Sequence, residues 1–304
     1  LKSTIDVKNT YKINTYPEFR DYAEQKDLVY PNLVKTDWFF KTILRFENKT
    51  TYLISSIIIT IFLVATIISG IIENVFLNNN LEIDMLHDIG FWMIIIVDYA
   101  LTFLSIHIFR NTAKMFIQLY RSGMIKTEKP VFNAFFTRIN KRINSKMLVL
   151  LCYAIGIGIF IYQYLSMPLT TINTWHIPNI LGQASITSLV FIPLNVFHQI
   201  LIIQFLIRTV ATSIILISFF LDNRLQINFA QRKWGENSAI EIIGKYAFVN
   251  FLMIFLLSLF LAASLFSNTQ IYGFAMYDPY NIILIFEFIL CSFASIFSPL
   301  LLLI

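Results

Sequence analysis

Six stretches of this chain are apolar for about twenty residues or more, and that alone removes most soluble folds. A run of that length is what an α-helix needs to cross a hydrocarbon core roughly 30 Å thick. The runs fall at about 52–72, 89–109, 147–165, 184–221, 246–266 and 281–304. Only 13% of the 304 residues are charged, about half the usual share in soluble domains. A membrane-spanning β-barrel would show ~10-residue segments of alternating polarity, and the sequence has none. The expected fold class is all-α: a polytopic integral membrane helix bundle of about six transmembrane helices.

The charges that remain are sorted by sign. Of the 23 lysines and arginines, 22 lie in three segments, 1–51, 110–146 and 222–245, and the three intervening loops contain none. The positive-inside rule then predicts both termini on the cytoplasmic or matrix side. Residues 1–51 read as a polar leader ending in an amphipathic elbow, and 52–304 as one transmembrane domain. In the elbow, Trp38, Phe39 and Phe40 beside Lys41 and Arg45 suit a helix at headgroup level that positions the first span. Ser238 and Glu241 form a capping-box pattern ahead of the fifth span.

The 110–146 connection holds nine basic residues and one acid. Pro130 suits a first helical turn. Helical spacing places Phe132, Phe135, Phe136, Ile139 and Ile143 on one face, with Arg138, Lys141, Arg142 and Lys146 over much of the rest. Anionic lipid fits such a surface, and so does a partner membrane subunit. Nucleic acid is disfavoured, because the charge hugs the membrane.

Three ionisable groups fall well inside the runs: Asp98, Arg208 and Glu287. Such residues are costly in a bilayer and mark functional sites by default. Counted from the basic ends of their spans, Asp98 and Arg208 reach similar depth, so Asp98 is the expected partner of Arg208, ahead of Glu287. Gln204, Arg208 and Thr212 share one helical face, and Asn195, His198 and Gln199 form a second polar cluster nearby. An ion pair that fixes helix packing and a polar path through the bundle both fit. The long run 184–221 must tilt, protrude or break, and Pro193 is the obvious break point. The four histidines are scattered, and His107 with His198 is the one pair that could oppose each other as haem ligands. Cys152 and Cys291 read as small core residues. No CxxC, HExxH, Walker A or GxGxxG motif is present, so no soluble-type catalytic site, cofactor or metal is expected.

Pro193-Leu194-Asn195 followed by Arg208, together with Glu287 in the last helix, resembles subunit a of F-type ATP synthases. That resemblance implies that Arg208 separates two aqueous half-channels and faces the carboxylate of a rotating ring. It further implies that Asn195, His198, Gln204 and Glu287 line a proton path. The chain departs from the family's pattern after the arginine, where it reads RTVATSIIL, and a whole span separates Arg208 from Glu287. Two other classes fit the same topology: a permease subunit of an ABC-type exporter, docking a separate ATPase through the 130–146 helix, and a structural subunit of a respiratory assembly. The abundance of Ile, Phe, Asn and Lys is that of AT-rich genomes, which points to a mitochondrial inner membrane or a bacterial plasma membrane.

Overall fold

The computed structural model describes residues 28–166 apart from 34, 47, 82 and 122, then 175, 185–225, 239–270 and seven residues between 281 and 289. Helices dominate these residues. They are α1 (Trp38–Ile43), α2 (Asn48–Ile72), α3 (Ile89–Arg121), α4 (Lys129–Ile143), α5 (Lys146–Ser166), α6 (Ile186–Leu221) and α7 (Ala239–Gln270). Helical backbone is also present at intervals between 281 and 289. Five of the runs are long and apolar enough to cross a membrane; they fall on α2, α3, α5, α6 and α7. Most of the sixth run, with Glu287 and Cys291, lies outside the described residues, as do His176 and Ser238.

α6 is the central helix, packed against α2, α3 and α5, while α7 packs on α3. A helix buried on several sides needs no polar outer face, and the exposed residues of α6, such as Ile186, Leu189, Val210 and Ile214, are accordingly apolar. The outer helices behave differently. On α2, the exposed residues Leu53, Ile57, Ile61, Val64, Ile68 and Ile71 form one continuous stripe. Phe248, Leu252, Phe255 and Leu259 do the same on α7. Unpartnered apolar stripes of this length suit lipid and not water.

The helices extend beyond their apolar runs at the basic end. α6 is 36 residues long, roughly 54 Å, and it does not break. Pro193 sits exposed inside an uninterrupted helix, as membrane helices allow when neighbours support the freed backbone. α3 likewise continues past the apolar run to Arg121, through residues that read as loop in the sequence. Ring contacts set the register of the two helices. Phe91 meets Phe191 at 5.4 Å and Phe116 meets Phe219 at 4.9 Å between centroids. α3 and α6 therefore run parallel, with each α3 residue level with the α6 residue about one hundred positions later.

The overhanging ends of α3, α6 and α7 pack with α4 and the leader into a cap. The elbow is part of this cap. Phe39, Phe40 and Ile43 are buried, and of the three elbow aromatics Trp38 alone, 65% exposed, turns outward. Phe40 packs edge-on against Phe109, and Phe39 against Phe197. The phenylalanine face of α4 is also spent inside the chain, since Phe132, Phe135 and Phe136 are buried against Phe116, Tyr120 and Phe219.

Two asparagines of α4 and its C-cap Asn144 hold the leader by its backbone. Asn133 accepts from the Val29 N–H at 2.8 Å, and Asn140 accepts from Asn32 N–H at 2.8 Å while donating to the Tyr30 carbonyl at 2.9 Å. Asn144 accepts from Lys35 N–H at 2.9 Å and donates to the Asn32 carbonyl. Positions 133, 140 and 144 lie on one helical face, so the extended leader runs along α4 and its main-chain groups are satisfied as a strand's would be.

At the opposite end, two acids of the 73–88 segment, Glu73 and Asp88, act as helix caps. Glu73 accepts from the N–H groups of Ile186 and Thr187 and from the Thr187 hydroxyl, each at 2.8 Å, at the start of α6. Burial alone would raise the Glu73 carboxyl, but those donors hold it below its ordinary value. Asp88 caps α3 through the Phe91 N–H at 3.0 Å and accepts from the buried Trp175 indole at 2.7 Å. Negative charge at a helix N-terminus is favourable, which accounts for Glu73 and Asp88 without invoking a site.

Candidate functional site: the polar layer between α3 and α6

Asp98 and His198 meet in the middle of the bundle. The Asp98 carboxylate Oδ1 lies 2.7 Å from His198 Nδ1, and Asp98 is 0% exposed. The register set by the flanking phenylalanines places residue 98 level with residue 198, so local helix geometry delivers both side chains to one level. The expected Asp98–Arg208 pair does not form. Arg208 lies ten residues further along α6, ~15 Å nearer the basic end. The depth count from sequence ended α3 at Phe109, whereas the helix runs to Arg121, and that difference displaces the estimate.

Arg208 instead sits where the bundle meets the cap. It is 1% exposed, and its Nη1 donates to the Ile143 carbonyl at 3.3 Å, just before α5 begins. Asp37 lies close by. Its carboxylate caps α1 through the Phe40 N–H at 3.0 Å. Burial raises the Asp37 carboxyl above its ordinary value, while the Phe40 N–H, the Arg208 charge and the Gln204 amide act against that rise. Among the described residues, the leader therefore supplies an acid close to Arg208. Asp37 followed by an apolar run has the form of an N-cap, but nothing local indicates which basic group it meets.

A second buried arginine closes the same level. Arg110 Nη2 donates to the Phe46 carbonyl at 3.1 Å and to the Thr51 hydroxyl at 2.8 Å, tying α3 to the junction of elbow and α2.

Between the Asp98–His198 level and the Arg208–Asp37 level runs a seam of buried polar atoms. Thr102 and Ser105 follow Asp98 on one face of α3, and Gln204 stands on the facing side of α6; all three are buried. Asp98 Oδ2, Thr102 Oγ1, Ser105 Oγ and Gln204 Oε1 are buried without a hydrogen-bond partner. Orphan oxygens in an apolar interior are costly, and several aligned in one seam are what a water-bearing path requires. The predicted face of Gln204, Arg208 and Thr212 is buried as one stripe. Thr212, however, turns its hydroxyl to the Thr209 carbonyl of its own helix at 2.7 Å. Asn195 is half-buried, one turn before His198.

The apolar core divides at this layer. One cluster, with Ile95, Phe91, Phe191 and Leu194, fills the acidic end. The other, with Val97, Leu101, Leu201 and Phe205, fills the basic end. Asp98 and His198 lie at the boundary, an enclosed polar site with an apolar plug on each side.

The remaining expected site residues separate from this layer. Arg138, Lys141, Arg142 and Lys146 are exposed on the outside of the cap and its junction with α5. Glu287 lies outside the described residues. His107 accepts from the Asn111 amide nitrogen and stands nine residues beyond the level of His198, ~13 Å away along the axis, too far for both to ligate one haem iron. Among the described residues, no group of three or more His, Cys, Asp or Glu side chains could hold a metal ion. No protein-family model, no curated protein and no solved structure matches this chain.

Proposed function

We propose that this chain is an integral membrane protein that moves protons through the seam between α3 and α6, with the Asp98–His198 pair as the buried exchange site. The observation that carries this reading is the enclosed carboxylate–imidazole contact between two apolar plugs. Carboxylate and imidazole are the two side-chain types best suited to pass a proton, and in a membrane span they mark proton relays. A hydrogen bond of 2.7 Å lets one proton reside on either group with no net charge left in the apolar surroundings. Thr102, Ser105 and Gln204 extend the polar path toward the basic end, where the buried Asp37 and Arg208 stand at its inner limit.

This role is similar to that of ATP-synthase subunit a in needing a polar route through the bundle, within a larger energy-transducing complex. It differs at the arginine. Arg208 is buried beside this chain's own Asp37, which favours a fixed charge at the inner limit of the path over one facing a partner's rotating carboxylate. The topology we propose has six spans and both termini on the cytoplasmic or matrix side, in a mitochondrial inner membrane or a bacterial plasma membrane. A second reading, the exporter permease, draws support from the exposed basic face of α4, which an acidic ATPase surface would match.

Reconstitution into liposomes enclosing a pH-sensitive dye tests the first reading. Asp98→Asn and His198→Gln are expected to lower proton flux at least tenfold while both variants still elute as folded protein. Wild-type flux in Asp98→Asn would sink it. If flux survives but is coupled to a co-purifying ATPase and lost on neutralising Arg138, Lys141 and Arg142, the permease reading replaces it.

A further inference from the structure

A cleft of about 270 Å³ opens between α3 and α7 at the basic end of the bundle, separate from the proton seam. α3 contributes His107, Asn111, Lys114 and Gln118, and α7 contributes Lys245 and Tyr246. These residues recur at helical spacing on each helix, so two stripes face one another. Tyr246 shares a hydrogen bond of 2.7 Å with the buried Thr112, which pins α7 to α3 beneath the cleft. The lining contains two lysines and no acid among the described residues; the nearest acid along α7 is Glu241, one turn before Lys245. Lys114 and Lys245 are both exposed, so their ammonium groups are free to close on a ligand without leaving water.

We infer that this cleft binds the phosphate-bearing headgroup of an anionic phospholipid from the leaflet on the basic side. Two ammonium groups supply the charge for a phosphodiester, and Asn111, Gln118 and the His107 ring add neutral hydrogen-bonding groups beside it. The cleft stands where α7 passes from the cap into its lipid-facing stripe, marked by the exposed Phe248 and Leu252. Ile242 and Val249 give its walls an apolar surface. A headgroup seated there leaves its acyl chains alongside that stripe, an arrangement open to a lipid but of no use to a free phosphate. Basic pockets between membrane helices on the positive side recognise lipid headgroups in this way.

The test is lipid retention by the whole chain, purified in mild detergent and exchanged into nanodiscs of phosphatidylcholine with one-fifth phosphatidylglycerol. Native mass spectrometry is expected to show one phosphatidylglycerol held per chain. Lys114→Gln with Lys245→Gln should lower its retention roughly 30-fold, from the usual contribution of a lysine near an anionic surface. Neutralising Arg138, Lys141 and Arg142 together should leave it within about twofold, since those residues lie on a different face. Equal losses in both variants, or none in the first, would overturn the assignment. Thermal stabilisation by inorganic phosphate alone, with no preference for phosphatidylglycerol, would also overturn it in favour of a soluble anion.

Discussion

Gly156 offers a sharp test of how α6 is held. A Cβ added there would stand 2.9 Å from both Cα and Cγ1 of Ile200 and 3.0 Å from its backbone nitrogen. Carbon atoms pack best at about 3.5–4.0 Å, so alanine at 156 forces α5 and α6 apart by roughly 0.5–1 Å. Two of the three obstructing atoms belong to the Ile200 backbone, which cannot swing aside as a side chain does. Overpacking of this kind costs about 1–3 kcal/mol, against the ~1 kcal/mol that alanine gains over glycine within a helix. Gly158, two residues on, has nothing within 4 Å of its added Cβ. Gly158→Ala should therefore stabilise by about 0.5–1 kcal/mol, and Gly156→Ala should be less stable than it by about 1–3 kcal/mol. Thermal unfolding of both variants in the same detergent, followed by tryptophan fluorescence, measures the gap. Because Ile200 lies two residues from His198, Gly156→Ala should also lower proton flux, and Gly158→Ala should not. Equal stability of the two variants would refute the close approach of the helices.

Other consequences follow from the same contacts. Asp98→Leu should destabilise by about 3–5 kcal/mol, because it strands His198, whereas Asp98→Leu with His198→Leu should cost clearly less than the two single changes added together; simple additivity in a double-mutant cycle would show that the pair does not interact. Asn140→Ala removes two bonds to the leader and leaves the Asn32 N–H and Tyr30 carbonyl without their partner, at a cost of about 1–3 kcal/mol. Limited proteolysis within residues 28–37 should accelerate in that variant, and unchanged cleavage would show that the asparagines do not hold the strap. Glu73 is held below its ordinary value by its capping donors, so its contribution is complete above the unfolded-state value near 4.5 and is lost as pH falls through the lower folded value. A pH titration of melting temperature should show an acid-side loss that is reduced in Glu73→Gln, which keeps an acceptor but does not titrate.

Some of this was readable residue by residue. Span beginnings near 89, 147 and 184 were legible because an apolar run meets a polar boundary within a few positions, and the structure starts helices at Ile89, Lys146 and Ile186. The buried face of Gln204, Arg208 and Thr212 was legible from four-residue spacing. The phenylalanine face of α4 was legible as a face, but what would cover it was not, because a helix's periodicity does not reveal its neighbour. The extension of α3 to Arg121 was hidden for a related reason. Residues 110–121 are polar enough to read as loop, and they are helical here because the cap packs around Phe116 and Arg110.

What the sequence determined by itself is the class of molecule: helices, long apolar runs, and basic residues gathered into three segments, all of which depend on composition within a single turn or span. What only the tertiary structure decided is the pairing of the buried charges. Asp98 meets His198 and not Arg208, and Arg208 faces the leader's Asp37, because register between helices a hundred residues apart is set by packing over their whole length. Ending α3 at Phe109 instead of Arg121 displaces the expected partner by ~18 Å, well beyond the reach of any side chain.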